Sequence, residues 1–278
     1  MTAHTIPLDP SAPPPGLPPP PAPRQRTPVM RVFGVLAVVF ALAVVAWGCW
    51  SLVDLLALRT YHSTTTLPIV HLVELRADDA DVTLIPDATG RIVVERTIER
   101  GLRHADAQAL ERDGRLVVSG GCRGPFGWHC SVSFTIHVPT DVDVIGQLRD
   151  GNLSDQGTHG SVQVSSGDGD LDLDGVDGTV VLHTGDGDVH VEALTASSVT
   201  ASSGDGDLDI ELASPPASVA LHSGDGDVDV CLPRSTPPYA VNAHTGDGSL
   251  NNQIPSDPGA PRTMTVTTGD GDAVLHLC

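Results

Sequence analysis

The chain has 278 residues, of which 35 are acidic and 15 are basic, and its formal net charge is −20. All the basic residues are arginines, and residues 146–278 hold 21 of the acidic residues against three arginines. Proteins that bind nucleic acid through charge carry a basic face, so this composition excludes that class of partner. An acidic surface instead attracts cations or basic partners.

The first predicted segment, residues 1–31, is a proline-rich tail. It contains eleven of the 23 prolines, in runs such as Pro13–Pro15 and Pro18–Pro21, and almost no large apolar side chains. Such a segment cannot bury a core, so we expect it to be disordered and partly polyproline II.

Residues 32–53 form an uncharged apolar segment that is long enough to cross a membrane. At about 1.5 Å per residue, a helix of this length spans a hydrocarbon core of roughly 30 Å. Trp47 and Trp50 lie near its end, as interfacial aromatic residues do. Three arginines precede the segment: Arg24, Arg26 and Arg31. The positive-inside rule then predicts a single-pass cell-membrane protein with a cytoplasmic tail and an extracellular C-terminal domain.

An uncleaved anchor fits this apolar segment better than a cleaved signal peptide or a lipid-modified cysteine. A cleaved signal peptide usually has a shorter apolar region, of about 7 to 15 residues, and a small-x-small cleavage site that is not evident here. Lipid attachment to Cys49 is favoured by Gly48 before it, but Trp47 and Ala46 fit a lipobox poorly. Residues 54–66 are then predicted to be a short polar linker.

The C-terminal half is dominated by an internal repeat of the form S/T-G-D-G-D followed by alternating apolar residues. Successive repeats begin 18, 19, 20, 22 and 23 residues apart, a period typical of repeat architectures. The first glycines of the repeats are Gly167, Gly185, Gly204, Gly224, Gly246 and Gly269. A turn in every coil needs a positive φ or a close approach of two backbones, and glycine permits both.

Apolar residues alternate with polar ones on both sides of each turn, as in Val162 and Val164 before Gly167 and Leu171 and Leu173 after it. Alternation by two indicates strands with one buried face. Because two short strands cannot bury that face alone, we expect the coils to stack at about 4.8 Å. The predicted fold is an all-β, parallel two-sheet β-solenoid over residues 67–278, with an irregular N-terminal part that caps the stack. One apparent exception to the pattern is Asn252, which stands at an apolar position.

The string of S-G-D-G-D-[LV]-x-[LV] repeats behind one apolar helix resembles the bacterial putative adhesin family. The resemblance covers residues 67–278 and implies a membrane-tethered β-solenoid of largely unknown function. It supplies no catalytic residues, and it implies a further role in sensing membrane stress.

The aspartates of the turns form two rows, and the first is a candidate calcium ladder. Stacking brings like charges to about 5 Å, so either salt and water screen them or divalent cations bridge them, and we expect screening. The first row comprises Asp168, Asp186, Asp205, Asp225, Asp247 and Asp270. The second comprises Asp170, Asp188, Asp207, Asp227 and Asp272.

Histidines occupy the position two residues before the glycine in three repeats, at His183, His222 and His244. If the coils stack in chain order, His222 and His244 are neighbours that could bind a transition metal. Serine or threonine stands at this position in the other repeats. We therefore expect a polar turn position rather than a metal site.

The sequence contains five cysteines, and two of them bracket a short loop. Outside the cell, Cys122 and Cys130 are expected to form a disulfide worth roughly 2–3 kcal/mol. Cys231 and Cys278 are placed two coils apart by a regular stack, near 10 Å, which exceeds the roughly 7 Å Cα limit for a disulfide. They are then either free or paired through a distorted last coil.

No GxSxG, HExxH, CxxC or phosphate-loop pattern is present, so no enzyme class or cofactor is indicated, apart from the calcium considered above. The leading hypothesis is a non-enzymatic envelope protein whose acidic solenoid contacts an unknown protein or cell-wall ligand. The alternative is an envelope-stress sensor or scaffold that signals through the proline-rich tail. A hydrolase with a carboxylate pair on the parallel stack is disfavoured, because the repeat leaves no irregular catalytic coil.

Overall fold

The computed structural model describes residues 28–88, 90–124 and 129–278, and for residues 28–31 it describes only the backbone. The chain divides into two units between Cys49 and Trp50. Residues 1–27 of the predicted tail lie outside the described residues.

One long helix, α1 (Pro28–Leu56), contains the predicted membrane segment. Proline is well suited to the first turn of a helix, because the missing N–H has no intrahelical partner there. By length and composition, Val32–Leu56 can cross a membrane, a property that signal sequences share. Its apolar side chains are exposed, Phe33 and Phe40 by 67% and 72%.

The rest of the described chain is built from strands. They are β1 (Arg59–Leu67), β2 (Leu72–Ala77), β3 (Ala80–Pro86), β4 (Ile92–Arg100), β5 (His104–Arg112), β6 (Arg115–Arg123), β7 (Cys130–Val138), β8 (Asp143–Leu148), β9 (Leu153–Asp155), β10 (Val162–Ser165), β11 (Leu171–Asp174), β12 (Val180–His183), β13 (Val189–Leu194), β14 (Ser198–Ser203), β15 (Leu208–Leu212), β16 (Ser218–Ser223), β17 (Val228–Leu232), β18 (Ala240–Thr245), β19 (Leu250–Asn252), β20 (Thr263–Thr268) and β21 (Ala273–Leu277).

The strands form two sheets, here called sheet A and sheet B. Sheet A has 11 strands in the order β1-β4-β7-β3-β9-β11-β13-β15-β17-β21-β19. Sheet B has 10 strands in the order β18-β20-β16-β14-β12-β10-β8-β2-β6-β5. From β3 and β2 onward, towards the repeats, neighbouring strands are parallel, as in β10 with β12 and β11 with β13. The predicted all-β, two-sheet parallel solenoid is confirmed.

The core lies between the sheets and is made of the alternating apolar residues. Within one repeat, Val162, Val164, Leu171 and Leu173 are each no more than 2% exposed. The same pattern is buried around the turn between β2 and β3, where glycines are absent. Each coil therefore adds one layer of aliphatic side chains to a continuous core, which no single coil could form.

The coils do not stack in chain order. The last coil, β20 and β21, lies between the coil of β16 and β17 and the coil of β18 and β19. Its inward side chains are fully buried, whereas Leu250 of β19 is 44% exposed at the end of the stack. Asn252 lies on that same end strand, opposite Leu275, and is exposed. The coil with the weaker apolar pattern thus ends the stack, where an asparagine costs little.

The predicted linker, residues 54–66, needs correction. Strand β1 occupies most of it and pairs antiparallel with β4 over nine residues, from Arg59 opposite Arg100 to Leu67 opposite Ile92. Its sequence RTYHSTTTL is polar, which led to its prediction as a linker. Threonine and tyrosine nevertheless favour strands, and an edge strand can expose polar side chains.

The coil order also corrects the prediction for the last two cysteines. Cys231 and Cys278 are disulfide-bonded, with their Cα atoms 5.7 Å apart. Because β21 pairs directly with β17, Cys231 lies opposite His276, in the neighbouring coil. The expected separation of two coils assumed stacking in chain order. The other predicted pair, Cys122 and Cys130, is also bonded, with a Cα separation of 6.1 Å, and Cys49 is free.

We expect the second disulfide to stabilise the fold more than the first. It closes a separation of 47 residues against 8, and chain entropy gives roughly 4 kcal/mol for the longer loop against roughly 2–3 kcal/mol for the shorter one. Denaturant unfolding of the full chain in detergent measures the free energy of unfolding. That free energy should fall more for Cys231→Ser with Cys278→Ser than for Cys122→Ser with Cys130→Ser. The reverse order would contradict the coil arrangement.

Candidate functional site

The glycine–aspartate turns form one continuous edge of the stack, and their backbones nearly touch. A Cβ built on Gly185 would lie 2.6 Å from the carbonyl oxygen of Gly167 in the neighbouring coil, and a Cβ on Gly206 would be closer still to Gly187. None of these repeat glycines has a positive φ. Of the two explanations offered for the glycines, close backbone approach is therefore the one that applies.

A row of buried hydroxyl groups holds the turns together, and sequence reasoning missed it. Ser203 Oγ donates to the carbonyl of Gly187 at 3.0 Å and accepts the N–H of Gly206 at 2.9 Å. Ser223 repeats this with the carbonyl of Gly206 and the N–H of Gly226, at 2.9 and 3.0 Å. The signal was available, because every repeat has a hydroxyl residue directly before its first glycine: Ser166, Thr184, Ser203, Ser223, Thr245 and Thr268.

The second aspartate row has a structural role. Each carboxylate accepts the backbone N–H of the equivalent residue in the next coil, as Asp188 does from Asp207 at 2.8 Å and Asp207 from Asp227 at 2.7 Å. The row ends where Asp272 accepts the N–H and hydroxyl of Ser249, at 2.7 and 3.0 Å. Those hydrogen bonds lower the pKa of Asp272, because they stabilise its charged form. The aspartates thereby compensate part of their mutual repulsion.

The first aspartate row, proposed above as the calcium ladder, is exposed along the turn edge. Its backbone N–H groups, not its carboxylates, join the coils, as when Asp186 donates to Gly167 at 3.0 Å. Two further members precede the repeats, Asp79 and Asp150. Burial, and then the charges of Asp79 and Asp168, raise the pKa of Asp150, as expected for like charges in a row.

No metal centre is formed by the described residues. Within the parts of the chain that the structure describes, no group of three or more His, Cys, Asp or Glu side chains could hold a metal ion. The calcium ladder of Asp168, Asp186, Asp205, Asp225, Asp247 and Asp270 remains a prediction from sequence. The histidine pair does not form, because Thr267 of β20 lies between His222 and His244.

The outward side of sheet A carries a further concentration of acidic side chains, separate from the turn edge. We call this surface the acidic face; it comprises Asp172, Asp174, Glu192, Asp209, Glu211 and Asp229 on β11, β13, β15 and β17. These four strands contain no arginine or lysine. The only imidazole among them is His190, whose nitrogens lie 3.0 Å from Glu192 and 3.3 Å from Asp209. Burial lowers the pKa of His190, but its hydrogen bond to Glu192 and the nearby carboxylates raise it overall.

One aspartate, which was not predicted from the sequence, points into the core instead. Asp155 occupies an inward position between Leu84 and Leu173 and is 1% exposed. Thr158 satisfies its carboxylate through the backbone N–H at 3.1 Å and the hydroxyl at 2.6 Å. Burial raises the pKa of Asp155, and the hydrogen bonds from Thr158 and Gly157 only partly oppose this.

Asp155 should make the stack more stable at low pH than at neutral pH. Because its pKa in the folded protein is raised above the ordinary 3.8, the stabilisation is complete below that value and is lost as the pH rises through the folded pKa. In Asp155→Asn the amide oxygen can still accept the N–H of Thr158 and the amide nitrogen can donate to its hydroxyl, and the side chain cannot ionise. In thermal unfolding measured from pH 3 to 8, the Asp155→Asn variant should gain stability relative to the wild type as the pH rises. The variant Asp172→Asn, at an exposed position, should show no such gain. Parallel curves for wild type and Asp155→Asn would contradict this.

A second buried carboxylate lies in the segment first assigned to the linker. Asp54 is 0% exposed and accepts the N–H of Leu102 at 2.7 Å. Its other oxygen lies 3.0 Å from Nδ1 of His129, which is next to the Cys122–Cys130 disulfide. Gly101 leaves room for this carboxylate, since a side chain there would collide with it. The residue is thus part of the solenoid unit rather than of a free linker.

The two parallel sheets and their glycine–aspartate edge define a parallel β-solenoid repeat protein. The family model Toastrack DUF4097 matches residues 131–274, and the chain belongs to this family. The resemblance seen in the sequence is therefore confirmed. No curated protein matches the chain in sequence.

The chain is also similar to solved structures of distant bacterial proteins. A putative cell adhesion protein from Clostridium sporogenes is 10% identical, with a TM-score of 0.39, and the match covers 79% of this chain and 100% of that one. A putative adhesin from Parabacteroides merdae is 11% identical, with a TM-score of 0.45 and coverage of 79% and 96%. A putative lipid binding protein from Parabacteroides distasonis is 8% identical, with a TM-score of 0.39 and coverage of 79% and 97%.

Proposed function

We propose that this protein is a non-enzymatic, membrane-anchored module of the cell envelope that presents its acidic face to a partner outside the cell. The observation that carries the proposal is the acidic face itself: six carboxylates on four neighbouring strands with no arginine or lysine among them. Such a surface attracts basic protein or cell-wall groups over a distance set by the salt concentration.

The anchor is provided by α1. By length and composition Val32–Leu56 can cross a membrane, and the large apolar side chains along it are exposed, which is the state expected of a helix that lies in lipid. Arg24, Arg26 and Arg31 before it favour a cytoplasmic N terminus. The solenoid unit, with its two disulfides, would then lie on the oxidising side of the membrane.

Adhesion of cells that display the full chain tests this proposal. The probe is a surface coated with isolated cell wall or with extracted envelope protein. The variant Asp172→Asn, Asp209→Asn, Asp229→Asn removes three charges from the acidic face, and we expect adhesion to fall at least fivefold. The matched control places glutamate at the same three positions, keeps the charge and should adhere like the wild type.

Salt provides a second test of the same contact. Raising sodium chloride to about 0.5 M shortens the Debye length to a few ångströms, so adhesion through the acidic face should weaken to the level of the asparagine variant. Equal adhesion of the wild type, both variants and cells that lack the protein would exclude a role for this face.

A further inference from the structure

From β8 to β18, the outward side of sheet B is almost free of charge, unlike the acidic face and the turn edge. We call it the neutral face; it consists of the outward positions of β8, β10, β12, β14, β16, β20 and β18. The last six of these strands, all described in full, contain no acidic residue, arginine or lysine. One carboxylate, Asp143, stands at the start of β8 and accepts the N–H of Ser161.

The neutral face is lined by hydroxyl, amide and small apolar side chains. Its central row runs across the strands in register and reads Ile145, Gln163, Val181, Thr200, Ala220, Thr265 and Asn242. Ile145 and Val181 are 44% and 37% exposed, so apolar surface in this row contacts water. The next row alternates hydroxyl groups and imidazoles over its last six positions: Ser165, His183, Ser202, His222, Thr267 and His244.

The neutral face is also regular enough to form a contact. Its strand pairs keep one parallel register from β8 to β18. Seven strands at about 4.8 Å and five residues at about 3.3 Å give roughly 550 Å². Two such surfaces together bury about 1,100 Å², which clears the roughly 1,000 Å² that a biological interface needs and is the size of weak, transient interfaces.

From this charge pattern we infer that a second copy of this chain occupies the neutral face, so that two stacks associate through sheet B. Each chain carries a net charge of −20, and contact through the acidic face or the turn edge would place rows of carboxylates against each other. The neutral face is the broad side on which two copies meet without that repulsion. Association there leaves both acidic faces exposed, and confinement of copies to one membrane raises their local concentration.

Photo-crosslinking in intact cells tests this arrangement. The crosslinking amino acid p-benzoylphenylalanine is placed in the full chain at Thr200 on the neutral face, or at Asp209 on the acidic face. The two positions belong to one coil and point to opposite sides. We expect a dimer band at least tenfold stronger from position 200 than from position 209.

Two further variants separate this contact from dimers formed elsewhere, including through α1. Val181→Asp with Ala220→Asp charges the neutral face and should reduce the position 200 dimer at least tenfold, whereas Val181→Thr with Ala220→Ser should preserve it. Melting temperatures of the purified chains establish that both pairs fold. For the wild type in detergent, added sodium chloride should strengthen association, because it screens the remaining repulsion. The inference is wrong if position 200 gives no dimer, crosslinks only to other proteins, or still gives the dimer in the aspartate variant.

Discussion

Gly206→Ala is expected to destabilise the solenoid by about 3 kcal/mol, at the upper end of the usual cost of overpacking. The added methyl group would collide with the backbone of Gly187 and with the carboxylate of Asp188 in the neighbouring coil. The backbone cannot retreat without breaking hydrogen bonds on both sides, because Gly206 donates to Ser203 at 2.9 Å and its carbonyl accepts from Ser223 at 2.9 Å.

Thermal unfolding of the full chain in detergent measures this effect. A loss of about 3 kcal/mol lowers the melting temperature of a unit of this size by roughly 6–12 °C. Gly259→Ala is the matched control, because its new Cβ would meet nothing nearer than Asp257 Oδ1 at 3.4 Å. A melting temperature for Gly206→Ala within a degree or two of the control would show that the turns are not tightly stacked.

Val228→Asp should have an even larger effect. Val228 is 1% exposed and lies in an inward row between Leu208 and Ala273. An aspartate there has no partner, and burial of an unpaired carboxylate costs several kcal/mol, which approaches the total stability of many domains. We expect little folded protein for this variant, measured as protease-resistant material in membrane preparations.

The neighbouring residue supplies the control for Val228→Asp. Asp229 points outward and contacts His276 at 2.8 Å, with about half of its side chain exposed. An exposed ion pair contributes at most about 1 kcal/mol, so Asp229→Ala should fold normally. Equal loss of folded protein in both variants would contradict the assignment of inward and outward sides.

Much of this fold was predictable because its information is local and repeated. The turn glycines fix the period, and the alternating residues on either side identify two strands and their buried side. Repetition also supports the prediction of which side chains point inward, since apolar residues stand at the same alternating positions from one repeat to the next. The short loop between Cys122 and Cys130 identified its disulfide in the same way, from residues close in sequence.

The coil order was not predictable by the same means. The repeats beginning at Gly246 and Gly269 have the same turn and similar strands, so either can follow the repeat of Gly224. The choice depends on which coil fills the core better once the whole stack exists. Asn252 and the pair Cys231–Cys278 both indicate which coil ends the stack. They can be interpreted in this way only once the long-range pairing of β17 with β21 is known.

The buried carboxylates were missed for a related reason. The neighbouring sequence does not reveal the partners of Asp54 or Asp155, because those partners meet them through tertiary contacts or a tight local turn. Asp54 meets Leu102 and His129, 48 and 75 residues away. A polar residue at an apolar position of a repeat, as Asp155 is, was the available sign.

Topology in the cell tests the central claim most directly, since the proposed contact of the acidic face with a partner outside the cell requires the solenoid to face the outside. Protease is added to intact cells that express the full chain with an epitope tag after Cys278 and a second tag before Met1. We expect loss of the C-terminal tag, at a protease dose that removes known surface proteins, with the N-terminal tag protected. Protection of the C-terminal tag with loss of the N-terminal one would contradict the extracellular solenoid.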